Sequence, residues 1–264
     1  LIMEIANHHN LKVITDSAQS PGAKYKKHNT GTLAHVGGYS LNRHKHIHTG
    51  EGGILVTNDD HIFERLQLIR NHAEAVVIGT GVEELNNMIG HNFRLGEIEC
   101  AIGIEQLKKL NGFVRGRQHI AERLTQGLKG LPGLRTPIVN ANCTHAYYKY
   151  PIVLDIDNLG VSRNQIKKAL EAEGVQGVAT GYVNVHLLPM YQKKIAYGKR
   201  GFPWTSEICK RDVNYNKGIC PNAEELHEKT FMAIQTCAYD YSDEDVDLIV
   251  AAFNKVWRNF DMLK

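Results

Sequence analysis

The sequence predicts an α/β protein, and three observations carry that reading. Short apolar runs with β-branched residues, Leu11 to Thr15 and Ile54 to Thr57, alternate with stretches of helical periodicity. Two long helical stretches follow, Phe93 to Leu110 and Ile120 to Gly130, separated by a break at Gly112. After Pro132-Gly133 a second, shorter alternation of strands and helices begins. The expected domains are 1–130, a large domain with its connecting helices, and 131–264, a small α+β domain. A chain of 264 residues is long enough to bury a core in each.

Each element has its own signal. Leu1 to Asn10 reads as the end of a helix, with Leu1, Ile2, Ile5 and Ala6 at helical spacing. Leu11 to Thr15 reads as a buried strand that ends at Asp16. In parallel sheets functional groups collect at the carboxyl edge, so Asp16 is a candidate site acid, although Asp before Ser also caps turns. Pro21-Gly22 is a turn. Gly31 to Ser40 reads as a strand with a close backbone approach at its glycines. Asn58-Asp59-Asp60 opens a helix with Ile62, Leu66 and Ile69 on one face. Asn71 to Met88 is long for a loop, which marks function or a partner contact. Leu95, Ile98, Ala101, Ile102 and Leu107 form a broad apolar helical surface. In the second half, Tyr147 to Leu154, Val175 to Thr180 and Phe231 to Thr236 read as strands. Val161 to Ala172 and Ala223 to Lys229 read as helices, and Tyr182 to Asn222 as irregular. Ser242-Asp243-Glu244-Asp245 is a capping box, and its helix buries Val246, Ile249, Val250 and Phe253.

Composition narrows the function. Hydrophobic residues make up 42% and charged residues 22%, close to an average globular protein. The net charge is +3 with Lys and Arg scattered, which argues against nucleic acid as a partner. Five cysteines, an odd number without C-x-x-C spacing, suit reduced thiols and a cytoplasmic location. No apolar run approaches a membrane span. The chain opens with Leu1-Ile2-Met3 already inside a helical pattern, so an upstream portion is expected to be missing. Among fourteen histidines, His46 and His48 form an H-x-H beside His44. A third ligand at fixed spacing is lacking, so no metal is expected.

The chemistry concentrates in Tyr39-Ser40-Leu41-Asn42-Arg43-His44-Lys45-His46-Ile47-His48-Thr49-Gly50-Glu51-Gly52-Gly53. One lysine sits between two histidines, ahead of a glycine-rich turn and the apolar run Ile54-Leu55-Val56. A lysine held by compact backbone near a strand is a candidate carbonyl-binding amine. Taken alone, a solvated loop lysine is the commoner case. Asp16-Ser17-Ala18-Gln19 upstream changes the balance.

Asp16-Ser17-Ala18-Gln19, Ser40, Lys45 and Gly50-Glu51-Gly52-Gly53, in that order, resemble the DegT/DnrJ/EryC1/StrS family of pyridoxal phosphate (PLP) aminotransferases. Arg70-Asn71-His72, His91-Asn92-Phe93-Arg94 and Ala101-Ile102-Gly103-Ile104-Glu105-Gln106-Leu107 extend the likeness toward the C-terminus. The resemblance implies part of the large domain of PLP-transferase fold type I, with a mainly parallel sheet, plus a smaller α+β domain. It implies Lys45 as the Schiff-base lysine and proton shuttle. Asp16 would pair with the pyridine nitrogen, Gln19 would touch the ring or its 3-hydroxyl, and Ser40 would bind the phosphate. Asn92 would reach the phosphate of a neighbouring subunit, making the active unit a homodimer, and His186 would lie near substrate. The implied reaction converts a keto-sugar, nucleotide-linked, to an amino sugar with glutamate or glutamine as donor, as in cell-surface polysaccharide biosynthesis. Tyr39, Leu41 and Asn42-Arg43-His44 depart from the family's F-S-F-x-x-x-K. The family's N-terminal phosphate loop and ring-stacking aromatic have no counterpart, so this chain alone is expected to hold PLP poorly.

Other readings are a sugar dehydratase of the same family, in which histidine takes the lysine position, a non-catalytic or truncated relative, and a metal protein using His44, His46 and His48. Counting back from Gly50-Glu51-Gly52-Gly53 places Lys45 at the lysine position and favours the aminotransferase.

Overall fold

The structure is a computed structural model that describes residues 1–74 and 85–264. The middle of the long loop expected at Asn71 to Met88 lies outside the described residues. The chain folds as two compact units, Leu1–Ala121 with Ile138–Tyr148, and Glu122–Pro137 with Lys149–Lys264. The chain therefore passes between units three times, at 121/122, 137/138 and 148/149, where the sequence suggests one boundary near residue 130.

In the first unit α1 (Ile2–His8) leads into β1 (Ile14–Asp16), a small antiparallel ribbon of β2 (Lys24–Tyr25) and β3 (His28–Asn29), then β4 (Val36–Ser40) and β5 (Gly53–Val56). The sheet order is β1-β4-β5, with β1 and β4 parallel and β4 and β5 antiparallel. His35 ties together the end of the sheet where β1 and β4 begin and β5 finishes: its Nδ1 accepts from the Val13 N–H at 3.0 Å, and its carbonyl accepts from Thr57 Oγ1 at 2.7 Å. The close backbone approach expected at the glycines occurs at Gly37, where a Cβ would collide with the Gly31 carbonyl. α2 (Asp60–Arg70) starts at Asp59, whose carboxylate accepts from the Ile62 N–H at 3.0 Å.

Three expectations need correction here. The strand after Leu11 is three residues long and not buried: Leu11 is 57% and Ile14 73% exposed, and among the described residues β1 pairs with β4 alone, at the sheet edge. The buried residue of α2 is Leu68, at 1% exposure, outside the Ile62–Leu66–Ile69 face. The break at Gly112 does not exist. α3 (Glu97–Leu128) is one helix of 32 residues, and it starts four residues later than Phe93. A single mid-helix glycine costs only about 1 kcal/mol, which the flanking helix formers outweigh.

The second unit holds the better-formed core. Its sheet runs β6 (Leu134–Arg135), β7 (Tyr150–Leu154), β9 (Phe231–Ile234), β8 (Val178–Ala179), antiparallel throughout. β7 alternates buried and half-buried residues, and Tyr150, Ile152 and Leu154 are fully buried. Buried with them are Ile166 and Leu170 of α5 (Arg163–Ala172), and Val246 and Phe253 of α8 (Asp243–Arg258), all at 0% exposure. Each such side chain contributes roughly 1.5–3 kcal/mol of burial. The capping box at Ser242 and Asp245 is formed as expected, and a second closes at Ser162 and Gln165. Val246, Ile249 and Phe253 are buried as anticipated, and Val250 is half-buried over Gly127. The strands are shorter than the sequence suggests. α4 (Ile156–Leu159), α6 (Pro189–Lys193) and α7 (Pro221–Glu225) are single turns, with α7 continuing into a π turn over Leu226–Thr230. No helix among the described residues is long and apolar enough to cross a membrane.

Candidate active site

The parallel pair β1 and β4 sets the first two site residues. Register places Asp16 beside Gly38, and the Ser17 N–H donates to the Gly38 carbonyl at 2.8 Å. Ser40 follows two residues later on the adjoining strand, so an acid and a hydroxyl leave the sheet at the same carboxyl edge. Asp16 is exposed. Its Oδ1 accepts from the Ala18 N–H at 3.0 Å, the turn-capping bond that Asp makes when followed by Ser and Ala. Oδ2 has no hydrogen bond among the described residues, and Gln19 is exposed on the same turn.

The chain then makes a closed loop. Leu41 N–H donates to Gly52 O at 2.9 Å, Arg43 N–H to Gly50 O at 2.7 Å, and Thr49 N–H to Leu41 O at 3.0 Å. Asn42 adds three bonds: its N–H donates to Ser40 Oγ at 3.2 Å, its amide donates to Glu51 Oε1 at 2.7 Å, and its Oδ1 accepts from the His44 N–H at 3.1 Å. Gly52 turns at φ +146°, and a Cβ there would lie 3.0 Å from both Thr49 Oγ1 and Leu95 Cδ1, so the turn needs glycine. Leu41, Ile47 and Thr49 point inward and are buried. At the centre stands Lys45, half-buried, with its N–H donating to Asn42 O at 2.9 Å and its Nζ 4.6 Å from the centre of the Tyr148 ring.

His46 is the most buried residue of the three-histidine run, at 3% exposure, while His44 and His48 are exposed. Its Nε2 donates to the Ala146 carbonyl at 2.7 Å. Burial pushes its imidazole down to about 4 from the ordinary 6.5; the Ala146 carbonyl opposes this, and the charges of Arg117, Lys45 and His145 add to it. The three histidines do not converge, and no group of three or more His, Cys, Asp or Glu that could hold a metal ion occurs among the described residues.

Two expected site residues remain, Asn92 and His186. Asn92 is exposed and bridges Asn71; its Oδ1 accepts from Arg94 Nε at 3.0 Å, and His91 stacks on Phe93. His186 belongs to the second unit. Its Nε2 meets Glu224 Oε1 at 2.9 Å, and Glu224, 6% exposed, also accepts from the Gly218 and Cys220 N–H groups. Burial raises the Glu224 carboxyl, but the Gly218, His186 and Cys220 bonds win and hold it below the ordinary value. Sequence reasoning missed Tyr148, Ala146 and Glu224. No local pattern ties His46 to a carbonyl 100 positions away.

The family model described as the DegT/DnrJ/EryC1/StrS aminotransferase family matches residues 1–217. The chain belongs to this family. GDP-perosamine synthase of Caulobacter vibrioides is 31% identical over 72% of the chain and 50% of its own length. EpsN of Bacillus subtilis, whose name includes pyridoxal phosphate-dependent aminotransferase, is 29% identical over 86% of the chain and 55% of its own. The crystal structure of an aminotransferase from Psychrobacter cryohalolentis superposes with a TM-score of 0.76 at 26% identity, over 98% of this chain and 65% of that one. The fold is that of the type I PLP aminotransferases. The chain spans about half the length of these curated relatives. PLP is the cofactor of the DegT/DnrJ/EryC1/StrS aminotransferases, and the donor set here fits it: a carboxylate, a hydroxyl and a primary amine, one each for a pyridine nitrogen, a phosphate and an aldehyde.

Proposed function

We propose that this chain carries the lysine half of a PLP-dependent aminotransferase site that turns a keto-sugar, nucleotide-linked, into an amino sugar, with glutamate or glutamine as amino donor. The observation that carries the reading is the sheet edge at which Asp16 and Ser40 leave adjoining parallel strands and the hydrogen-bonded loop beyond Ser40 that holds Lys45. The names of the relatives support the sugar substrate.

In this reading Asp16 would pair with the ring nitrogen and keep it protonated, Ser40 Oγ would donate to the phosphate, and Gln19 would touch the ring or its 3-hydroxyl. Bound there, PLP supplies an aldehyde that takes up the amino group and a ring that withdraws electrons from the donor's α-carbon. Lys45 Nζ would hold the cofactor's aldehyde and, when free, would move the proton between the donor carbon and the cofactor carbon. Asn92 reaches the phosphate of a neighbouring subunit, so the active unit is a homodimer, and His186 lies near substrate. The dehydratase reading gains nothing from the geometry, because His46 is buried on Ala146 and His44 is exposed.

Borohydride reduction of the protein in excess PLP, followed by peptide mapping, tests the assignment. A pyridoxyl mass on the peptide containing Lys45, lost in Lys45→Ala, is the expected result. Label on another lysine, or equal label in Lys45→Ala, rejects it.

A further inference from the structure

The segment Ile138–Tyr148 returns to the first unit and lies along the lysine loop. Thr144 anchors one end: its Oγ1 accepts from the Lys24 N–H at 2.8 Å and its own N–H donates to Lys24 O at 2.9 Å. Asn142 O accepts from the Lys26 N–H at 2.7 Å, and His145 O accepts from Gln118 Nε2 at 3.0 Å. His46 ties this segment to the lysine loop twice, by the bond from its Nε2 to Ala146 O and by a tilted contact of its ring with the Tyr148 ring, 6.3 Å between centroids. Two residues beyond Ala146, the Tyr148 ring faces Lys45 Nζ, and one residue before His46 stands Lys45 itself. Ala146 and Tyr148 of the strap thus meet two consecutive residues of the loop, His46 and Lys45.

The Ala146 carbonyl can only accept, so His46 carries its proton on Nε2. Nδ1 is then a bare lone pair, buried and without a hydrogen-bond partner among the described residues. That arrangement suits a ring used as a fixed donor. It does not suit a proton carrier, which needs at least one nitrogen open to its partner: here Nε2 is taken by Ala146 and Nδ1 is buried. A tyrosine face attracts a cationic amine, so the strap offers Lys45 a resting position when the amine is free.

We propose that His46 is a positioning residue: through Ala146 it fixes the strap so that the Tyr148 ring holds the Lys45 amine in place. The proposal deepens the reading of Lys45 as the cofactor lysine and rests on it for its catalytic meaning, but its geometry can be tested without cofactor. With the ε-carbon of lysine labelled, NMR of the protein should show Lys45 methylene protons upfield of ordinary lysine, from the Tyr148 ring current. The signal is identified by its loss in Lys45→Arg. It should persist in His46→Gln, whose amide nitrogen can replace Nε2, and return to the ordinary position in His46→Leu and Tyr148→Leu. Adding PLP, the affinity of His46→Leu should fall about tenfold while His46→Gln stays near wild type. An ordinary Lys45 signal in the wild-type protein overturns the proposal, even if His46→Leu fails to fold. So does an upfield signal that survives in a folded His46→Leu. Pyridoxyl label on a lysine other than Lys45 rejects the cofactor reading, and the NMR result then decides the strap geometry by itself.

Discussion

Acid reaches His46 in one direction only. In the unfolded chain the imidazole binds a proton near 6.5, whereas in the fold it does not until about 4. Between those values the unfolded state holds more protons, so stability is intact above pH 6.5 and falls as pH drops toward 4, by roughly 3 kcal/mol for this group. His145, also pushed down by burial, acts in the same direction and remains in a variant. Denaturant titrations at pH 7.5 and 5 should show a smaller acid loss in His46→Gln than in wild type; equal losses would remove His46 as their source. The strand that ends at Asp16 was readable from sequence, because it has a local pattern. His46 was not. Its partner is a backbone carbonyl, which carries no residue signature, and it is 100 positions distant.

Elements show the same division between local and distant causes. Helix caps at Asp59, Ser162 and Ser242 follow from neighbours three residues away and were legible or nearly so. The continuity of α3 was not, because glycine marks both breaks and tolerated interior positions. Nothing lies within 4 Å of a Cβ built on Gly112. Gly112→Ala should therefore raise stability by roughly 0.5–1 kcal/mol, seen as a higher melting temperature; no gain would mean the helix is not formed there. Arg163 secures the opposite kind of end. Its guanidinium is buried and donates to Leu226, His227 and Phe231 carbonyls through Nη1 and to Glu228 O through Nη2 at 3.0 Å. Leu226, His227 and Glu228 belong to the π turn before β9 and Phe231 opens the strand; Leu226 O also accepts from the Phe231 N–H. Arg163→Met removes these side-chain donors and should cost about 3 kcal/mol in chemical denaturation, although no sequence pattern linked residue 163 to the turn.

At the scale of the molecule the two units differ in how much apolar surface they cover. Ile14, Ile54, Leu55, Ile98 and Leu107 of the first unit stand in the open, whereas the second buries its sheet under α5 and α8. The second unit also depends on Glu122–Pro137: Thr125 Oγ1 lies 2.8 Å from Tyr150 OH, Trp257 Nε1 donates to Pro132 O at 2.8 Å, and β6 comes from this stretch. A fragment spanning 122–264 should melt cooperatively by circular dichroism, while 149–264, lacking Leu124, Leu128 and β6, should not. If the shorter piece melts as sharply, those contacts are dispensable. The returning strap adds a constraint of timing. A ribosome delivers Lys45 and its loop first, and the carbonyl that fastens His46 arrives 100 residues later. During synthesis the lysine loop must wait, its imidazole still in water, until the end of α3 and the chain through Tyr148 have emerged. A nascent chain released short of Ala146 would carry the whole lysine motif and lack the piece that fastens it.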